Sequence, residues 1–413
     1  MNGIVKARIE LALLFVLFVF ILPRQYFVWD FEFWINWALQ IHRHGLTSIY
    51  DHPTTDYHPL YFYVIWLYDL IQGSEQNIIA NINYLKLFTL PFDFLPVIVL
   101  CCFRQNIIKE PIPYMFLMLN IAYMFNTMVW GQVDAIHTNL LFLAALAAFY
   151  RPVMSGISFA LALAIKPHAI IFIPILGIIW LFTFKGIATW MKLLAVIGVT
   201  LLLVALPFII TGNAGKMMNV VGGAVGRYPY VSLCAFNIWY LITTINPEHT
   251  IDSETYILFS YKHWGLLMFF VSSALVLVPF LFSMWRARIN KENLFNNKAA
   301  QVMLAGGLIV LYFFYFNTQM HERYAHGIII FFFFYGVFSK NYKLYILASI
   351  PYLLSLDKVF PDFLPVKHYK IIWASKVIAI WYTLTVIYAS WLYIREYRIG
   401  REYRLLREAW SKK

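Results

Sequence analysis

The sequence predicts an all-α membrane protein, residues 1–413, that crosses the bilayer many times as one domain. Of its 413 residues, 62% are hydrophobic and 13% are charged, and the mean hydropathy is +0.68. A soluble domain usually has about 45–50% apolar and about 25% charged residues. The three cysteines cannot form a disulfide framework and lack zinc-site spacing. The composition therefore excludes a soluble enzyme, a disordered chain and a disulfide-stabilised scaffold.

Apolar stretches recur along the whole chain. A membrane-spanning helix needs about 20 mostly apolar residues, and shorter stretches can span where helix geometry allows. We count about twelve candidate spans, near residues 9–28, 84–103, 113–130, 136–150, 153–165, 168–184, 190–210, 264–284, 299–316, 325–338, 344–356 and 371–394. The predicted architecture is therefore a bundle of about 12 transmembrane helices.

The distribution of basic residues predicts the orientation. The chain has 32 Lys and Arg against 20 Asp and Glu, a formal net charge of +12. Because short cytoplasmic loops are rich in Lys and Arg, both termini are predicted to be cytoplasmic. The long loops 24–83 and 211–263 then lie outside, and the basic tail 395–413 is interpreted as a cytoplasmic anchor on anionic lipid. The positive charge is attributed to membrane lipids, and no nucleic-acid partner is expected.

The first outer loop, 24–83, begins with aromatic and acidic residues. From residue 32 the pattern is helical and amphipathic, and its apolar face contains Phe33, Trp34, Trp37, Ala38 and Ile41. Such a helix should lie in the membrane interface with Asp30 at its N-terminal end, where helix capping is an alternative role for the carboxylate. Asp56-Tyr57-His58-Pro59 indicates a second polar site or, alternatively, a proline turn among aromatic residues.

Four further polar clusters interrupt apolar runs at the predicted outer face. They are the segment with Gln132, Asp134, His137 and Asn139, then Lys166-Pro167-His168, Arg227-Tyr228-Pro229, and His321-Glu322-Arg323. Ionisable groups at membrane depth are costly and usually face a cavity or a partner. Lys166 is alternatively a snorkelling residue at a helix end, and Arg227 an interfacial arginine. We find no P-loop, dinucleotide fingerprint or Ser-x-x-Lys site.

Carboxylates and cations gathered on one membrane face suit a reaction at a lipid phosphate. A base removes a proton from an acceptor hydroxyl while cations stabilise the departing phosphate. Arginine suits the phosphate because its planar guanidinium forms two parallel charge-assisted hydrogen bonds. Since nucleotide sugars are scarce outside the cytoplasm, the donor is predicted to be a sugar on a polyprenyl phosphate.

The order of these motifs resembles that of C-type-fold (GT-C) glycosyltransferases, multi-spanning enzymes that use polyprenyl-phosphate sugars. Asp30-Phe31-Glu32, Trp37, Tyr50 and Asp56-Tyr57-x-Pro59-Leu60 resemble the first luminal loop of the dolichyl-phosphate-glucose glucosyltransferases of asparagine-linked glycosylation. Arg227-Tyr228-Pro229 with residues 235–239, and His321-Glu322-Arg323, resemble later motifs of that family, with Arg323 in place of a lysine. Gly131-Gln132-x-Asp134 and Lys166-Pro167 look more like bacterial polyprenyl-phosphate-mannose mannosyltransferases. The chain departs from the family at His58, where proline is expected, which bears on acceptor recognition.

The resemblance implies a GT-C-like fold and an inverting hexosyltransferase with Asp30 as catalytic base. The enzyme would move mannose or glucose from a polyprenyl-phosphate donor to a hydroxyl of a lipid-linked glycan or glycolipid. Arg227, His321, Arg323 and Lys166 would hold the donor phosphate, and Glu32, Asp56, Tyr57, Gln132, Asp134 and Glu322 would contact the sugar or acceptor. Glu322 is also expected to orient His321 or Arg227. Neither a cofactor nor a divalent metal is expected, because the cations already serve the leaving phosphate.

Two other functions are consistent with the sequence. A transporter or flippase of a lipid-linked saccharide would explain Asp93 and Asp134 as pathway residues, although the loops are asymmetric and no internal repeat is evident. A structural membrane subunit would leave the convergent charges unexplained. The predicted location is a bacterial inner membrane with the site facing the periplasm or exterior, and an endoplasmic-reticulum membrane with a lumenal site is the alternative.

Overall fold

The computed structural model describes residues 3–24, 26–107, 113–224, 226–360 and 370–411. These residues are mostly helical, as the all-α prediction requires, and their one sheet is an antiparallel hairpin of β1 (Thr255–Tyr256) and β2 (Phe259–Ser260). The helices up to residue 183 are α1 (Gly3–Phe20), α2 (Val28–His44), α3 (Pro59–Gln72), α4 (Glu75–Ala80), α5 (Lys86–Ile107), α6 (Tyr114–Met118), α7 (Ile121–Met124), α8 (Asp134–Ala147), α9 (Pro152–Ile165) and α10 (Ile173–Thr183). The later ones are α11 (Ile187–Ile210), α12 (Ala214–Gly222), α13 (Trp239–Ile242), α14 (Tyr261–Ile289), α15 (Leu294–Phe316), α16 (His326–Ser339), α17 (Lys343–Val359), α18 (Ser375–Glu396) and α19 (Ile399–Ser411).

Five helical stretches in the described residues are long and apolar enough to cross a membrane. They are Ile82–Cys101, Ile187–Ile210, Tyr261–Ile289, Leu294–Phe316 and Ser375–Ser411. Shorter apolar helices occupy Asp134–Ala147, Pro152–Ile165 and Pro167–Thr183. The structure therefore supports a helical membrane protein, while the larger number of crossings and the orientation stay predictions.

The stretch 113–130, predicted as one span, is interrupted in the structure. Asn120 caps α7, because its Oδ1 accepts a hydrogen bond from the Tyr123 backbone N–H at 3.3 Å. Its Nδ2 donates to the hydroxyls of Tyr345 and Ser349 on α17, at 2.6 and 2.8 Å. Asparagine favours such breaks because its side chain competes for backbone hydrogen bonds. The chain then forms a π-helix over residues 125–130 and turns towards the outer loops.

The centre of the bundle consists of α8, α15 and α16. Every residue of α8 is buried, and 83% of the most apolar window of α15 is buried, against 17% for α11. Gly307 lets α15 and α16 pack closely, because a Cβ at this position would lie 2.3 Å from the Phe332 ring. Helix α11 instead presents an almost continuous apolar surface outwards, as expected for a helix that faces lipid.

Helix α2 of the first outer loop is amphipathic, as predicted, but it begins earlier. Its buried residues are Phe31, Trp34, Trp37, Ala38 and Ile41, whereas Phe33 of the predicted apolar face is 40% exposed. The helix starts at Val28, with Phe27 in the N-cap position. Asp30 therefore lies in the first helical turn and does not cap the helix.

The basic tail forms a helix that packs against the bundle. Glu402 of α19 is buried and accepts a hydrogen bond from Arg286 of α14 at 3.3 Å. Leu406 of α19 is also buried, and the rings of Phe282 and Tyr403 lie 5.8 Å apart. Helix α14 has 29 residues and is about 43 Å long at 1.5 Å per residue. Because it starts beside the hairpin of the second outer loop, α19 lies at the opposite end of the bundle.

Candidate functional site

The two long outer loops meet around a cavity of about 470 Å³. Polar and charged side chains dominate one part of its surface, and aromatic side chains of α2 dominate another. Eight of the eleven site residues expected from the sequence line it: Asp30, Asp56, Tyr57, Lys166, Arg227, His321, Glu322 and Arg323. The fold therefore brings together side chains that are nearly 300 positions apart in the chain.

Asp30 is held by two side chains from another part of the chain. Its Oδ2 accepts hydrogen bonds from the indole N–H of Trp130 at 2.7 Å and from the side-chain amide of Gln132 at 2.5 Å. Among the described residues, no group donates a hydrogen bond to Oδ1. One carboxylate oxygen is thus fixed by the protein, and the other is free to accept a proton from a bound hydroxyl.

The backbone at Gly131 explains why Trp130 and Gln132 both reach Asp30. Gly131 ends the π-helix with a φ of +84°, in the left-handed region that favours glycine. A Cβ here would also lie 2.4 Å from the Phe31 ring. The turn therefore lets α2 approach closely and directs the side chains on both sides of Gly131 to the same carboxylate.

Gln132 does not line the cavity, although a sugar contact was expected for it. Its side chain is fully buried, and its Oε1 accepts a hydrogen bond from the Tyr57 hydroxyl at 3.3 Å while its Nε2 donates to Asp30. A buried amide must satisfy both its donor and its acceptor within the protein. The structure therefore places Gln132 behind Asp30, as a link between that carboxylate and Tyr57.

Asp134 also lies behind the cavity surface rather than on it. The carboxylate is fully buried and forms an ion pair with Lys166, a residue that lines the cavity. Asn126 donates to the other carboxylate oxygen at 3.3 Å, and Arg323 Nε is 4.0 Å from it. Such burial is tolerated because the charge is paired and hydrogen-bonded. Asp134 thus orients Lys166, and a direct sugar contact does not fit its position.

Glu32 is the third expected residue that the structure places outside the cavity. It is exposed on α2 and does not belong to the cavity lining. The cause is helical geometry, because two residues along an α-helix correspond to a rotation of about 200°. Asp30 and Trp34 face the cavity, and Glu32 therefore points the other way.

The second outer loop contributes a cation and a phenol that contact one carboxylate. Arg227 Nε lies 3.7 Å from Asp56 Oδ2, and the Tyr228 hydroxyl donates to the same oxygen at 2.9 Å. Burial raises the pKa of Asp56, and the Tyr228 hydrogen bond and the Arg227 charge oppose that effect. These three residues, called here the outer cluster, join the two outer loops. Asp30, Trp130, Gln132, Asp134 and Lys166 are called the inner cluster.

The segment 321–323 places an acid between two basic side chains. Glu322 accepts a hydrogen bond from Arg323 Nη1 at 2.9 Å, so it pairs with Arg323 and not with His321 or Arg227 as expected. Burial raises the pKa of Glu322, against the opposing charge of Arg323. The pKa of His321 is well below its usual value because of burial and then the charges of Arg323 and Lys166. His321 is therefore a neutral hydrogen-bonding group near pH 7.

Asp134, His137 and His168 have the donor atoms of a metal site, all within 4.8 Å of one another. The two imidazole Nε2 atoms are 2.9 Å apart, so one ring donates a hydrogen bond to the other. Asp134, however, is already paired with Lys166, and Arg323 adds a second positive charge nearby. A divalent cation would have to displace this ammonium group from its carboxylate. We therefore assign no metal to these side chains.

A second, apolar cavity of about 630 Å³ adjoins the polar one. The two share His58, Pro167, His168, Ala224 and Tyr324. The other lining residues of the apolar cavity include Leu201 and Val204 of α11, the helix that faces outwards, and Met217 of α12. The polar cavity therefore adjoins an apolar region beside a helix whose apolar surface faces outwards.

Several residues that line the polar cavity are not among the eleven site residues expected from the sequence. Trp130, His168, Tyr228, Glu248 and His249 all line the polar cavity. Tyr228 is next to Arg227, Trp130 lies two residues before Gln132, and His168 follows Lys166-Pro167 directly. Their neighbours were therefore a usable signal, whereas nothing in the pattern around Glu248 and His249 indicated this location.

No protein-family model matches the chain, and no curated protein matches it with statistical significance.

Proposed function

We propose that this protein is an inverting glycosyltransferase that moves a hexose from a polyprenyl-phosphate donor to a hydroxyl of a lipid-linked glycan or glycolipid. The observation that carries the proposal is the shared cavity. Asp30, with one carboxylate oxygen fixed and the other free, opens onto the same 470 Å³ space as Lys166, Arg227 and Arg323. A base and a set of phosphate-binding cations within one cavity are the two requirements of this reaction.

The proposed reaction is a single displacement. Asp30 Oδ1 accepts the proton of the acceptor hydroxyl, whose oxygen attacks the anomeric carbon. The bond from that carbon to the phosphate oxygen breaks, and polyprenyl phosphate leaves with the bonding electron pair. Lys166, Arg227 and Arg323 stabilise the negative charge that develops on the phosphate. Because attack and departure occur on opposite faces of the sugar, the configuration at the anomeric carbon inverts.

The adjoining apolar cavity supports a lipid-linked donor. Its volume is about 630 Å³, and it begins beside His168 and Tyr324, which also line the polar cavity. A polyprenyl phosphate needs a charged site for its phosphate and an apolar site for its chain, side by side. A soluble nucleotide sugar needs only the first. The resemblance of Asp30-Phe31-Glu32 and His321-Glu322-Arg323 to GT-C motifs agrees with this choice of donor.

The test is transfer of radiolabel from a short-chain polyprenyl-phosphate mannose or glucose to a lipid extract of the source cells. Wild type, Asp30→Asn and Glu32→Gln are purified and assayed side by side. General bases typically contribute 10²–10⁴-fold to a rate, so Asp30→Asn should lose at least about 100-fold. Glu32→Gln is the matched control, because it removes a carboxylate from the same helix turn outside the cavity, and it should keep wild-type activity.

Other outcomes would contradict the proposal in different ways. Equal transfer by wild type and Asp30→Asn would remove Asp30 as the base. If no sugar is transferred but the protein moves the intact labelled lipid across liposomes, the protein is a flippase and the transferase proposal is wrong. Equal losses in Asp30→Asn and Glu32→Gln would indicate damage to α2 rather than to catalysis.

A further inference from the structure

Four exposed arginines line an open surface cavity of about 410 Å³ at the end of the bundle opposite the outer loops. They are Arg395, Arg398, Arg401 and Arg404, at intervals of three residues, and Gly400 completes the lining. None of the described residues that line this space is acidic. The four side chains belong to the end of α18, the connection and the start of α19, so the bend between these helices brings them together.

Two of the four guanidinium groups have no partner in the described residues. Arg395 lies over the Trp391 ring at 4.6 Å and 3.6 Å from the Glu396 carboxylate. Arg401 donates to the Glu396 backbone carbonyl at 3.4 Å. Arg398 and Arg404 make no ion pair or hydrogen bond in the part of the chain described. Like charges held together in this way repel unless an anion lies between them.

A buried ion pair holds the helix that carries Arg401 and Arg404. The nearest acidic residue of α19, Glu402, is buried against Arg286 of α14 and is not available to neutralise them. That contact fixes the first turns of α19 on the bundle. Gly400, at the start of the helix, leaves open space where a side chain would lie. Backbone N–H groups of a first helical turn add positive potential at this point.

Exposed aromatic side chains place the cavity at the level of a membrane surface. Trp391 is 50% exposed, Tyr403 55% and Trp410 60%. Tryptophan and tyrosine concentrate where the hydrocarbon core meets the headgroups. A cavity beside them is within reach of lipid phosphates.

We propose that Arg395, Arg398, Arg401 and Arg404 form a binding site for the phosphate ester of an anionic phospholipid headgroup, with phosphatidylglycerol as its simplest ligand. Arginine binds phosphate through two parallel charge-assisted hydrogen bonds, and four such groups around one space exceed what a diffuse surface attraction requires. Free inorganic phosphate shares this chemistry and is the other source of the anion. The site is separate from the sugar-transfer proposal and does not depend on it.

The experiment measures lipid binding to the full chain in neutral detergent. Native mass spectrometry counts bound dioctanoyl phosphatidylglycerol or dioctanoyl phosphatidylcholine over a concentration series. The test variant is Arg398→Gln/Arg404→Gln. The control is Arg288→Gln/Arg407→Gln, which removes two exposed arginines from the same end of the bundle, outside the cavity. A third variant, Arg398→Lys/Arg404→Lys, keeps the positive charge but lacks the planar guanidinium that forms two parallel hydrogen bonds to a phosphate.

The test variant should bind phosphatidylglycerol at least fivefold more weakly than the control, and the lysine variant should fall between them. Phosphatidylcholine should bind weakly to all. Displacement of the lipid by equimolar inorganic phosphate would identify free phosphate as the ligand of the same site. Equal weakening in the test and control variants, or equal binding of the two lipids, would overturn the proposal. Unchanged helicity and a monodisperse elution profile confirm that each variant is folded.

Discussion

The inner and outer clusters of the polar cavity use the same kinds of group in different ways. In the inner cluster, the side chains of the Lys166–Asp134 pair are 8% and 0% exposed, whereas those of the Arg227–Asp56 pair are 35% and 18% exposed. The inner pair belongs to the helical bundle, and the outer pair joins two loops. Charges that are shielded from water interact more strongly and lose more when a partner is removed. The inner cluster is therefore built to stay in place, and the outer cluster is able to rearrange around a substrate.

The largest effect is expected from breaking the inner pair. Lys166→Met leaves the Asp134 carboxylate buried without its partner, which typically costs about 3–5 kcal/mol of stability. Thermal unfolding in detergent should show a clearly lower melting temperature, and sugar transfer should become undetectable. The double variant Lys166→Met/Asp134→Asn removes both charges and should recover most of the stability but no activity. If Lys166→Met unfolds like wild type, the pair is not the structural element inferred here.

A smaller effect is expected from loosening Asp30. Gln132→Leu removes one hydrogen bond to the carboxylate, and a hydrogen bond to a charged group is worth about 1.5–3 kcal/mol. The turnover number should fall roughly 10- to 100-fold, with little change in KM, since Gln132 does not line the cavity. Gln132→Glu should lower the turnover number further, because it places a second carboxylate against Asp30. A change confined to KM would show that Gln132 contacts substrate after all.

The smallest effect is expected in the outer cluster. Arg227→Gln should lower the turnover number by about 3- to 10-fold, because the charge of a partly exposed side chain is screened by water and Lys166 and Arg323 still stabilise the leaving phosphate. Tyr228→Phe keeps Arg227 but removes the hydrogen bond to Asp56, and should have no more than a twofold effect. A loss with Arg227→Gln as large as that with Gln132→Leu would contradict the distinction between the two clusters.

The sequence predicted the members of the site better than their arrangement. The sequence could identify Asp30, Lys166 and Arg323, because a charged group in an apolar chain is costly and differs clearly from its neighbours. The sequence could not predict in the same way where the side chains of Glu32 and Gln132 lie. The direction of the Glu32 side chain depends on where α2 begins. The direction of the Gln132 side chain depends on the left-handed turn at Gly131, which packs against the Phe31 ring.

For the fold, too, the sequence predicted the main elements but not the contacts between distant residues. Composition alone indicated a helical membrane protein, and the long apolar stretches that became α11, α14 and α15 were found with only small errors at their ends. The interrupted stretch 113–130 was missed, because its break depends on the Asn120 side chain finding partners on α17. Such a contact joins residues more than 200 positions apart, and local patterns contain no information about it.

The two hydrogen bonds to Asp30 also bear on how the chain is made. Trp130 and Gln132 follow Asp30 by 100 and 102 residues, so the ribosome finishes α2 long before it supplies either donor. Until then neither donor is present to fix the carboxylate, although α2 can already pack on α3, where Trp34 lies against Tyr61 and Trp37 against Phe62. The surroundings of Asp30 are therefore completed late, when a distant segment packs against α2, and a chain that ends before residue 130 has the Asp30 carboxylate but neither of its two hydrogen-bond donors.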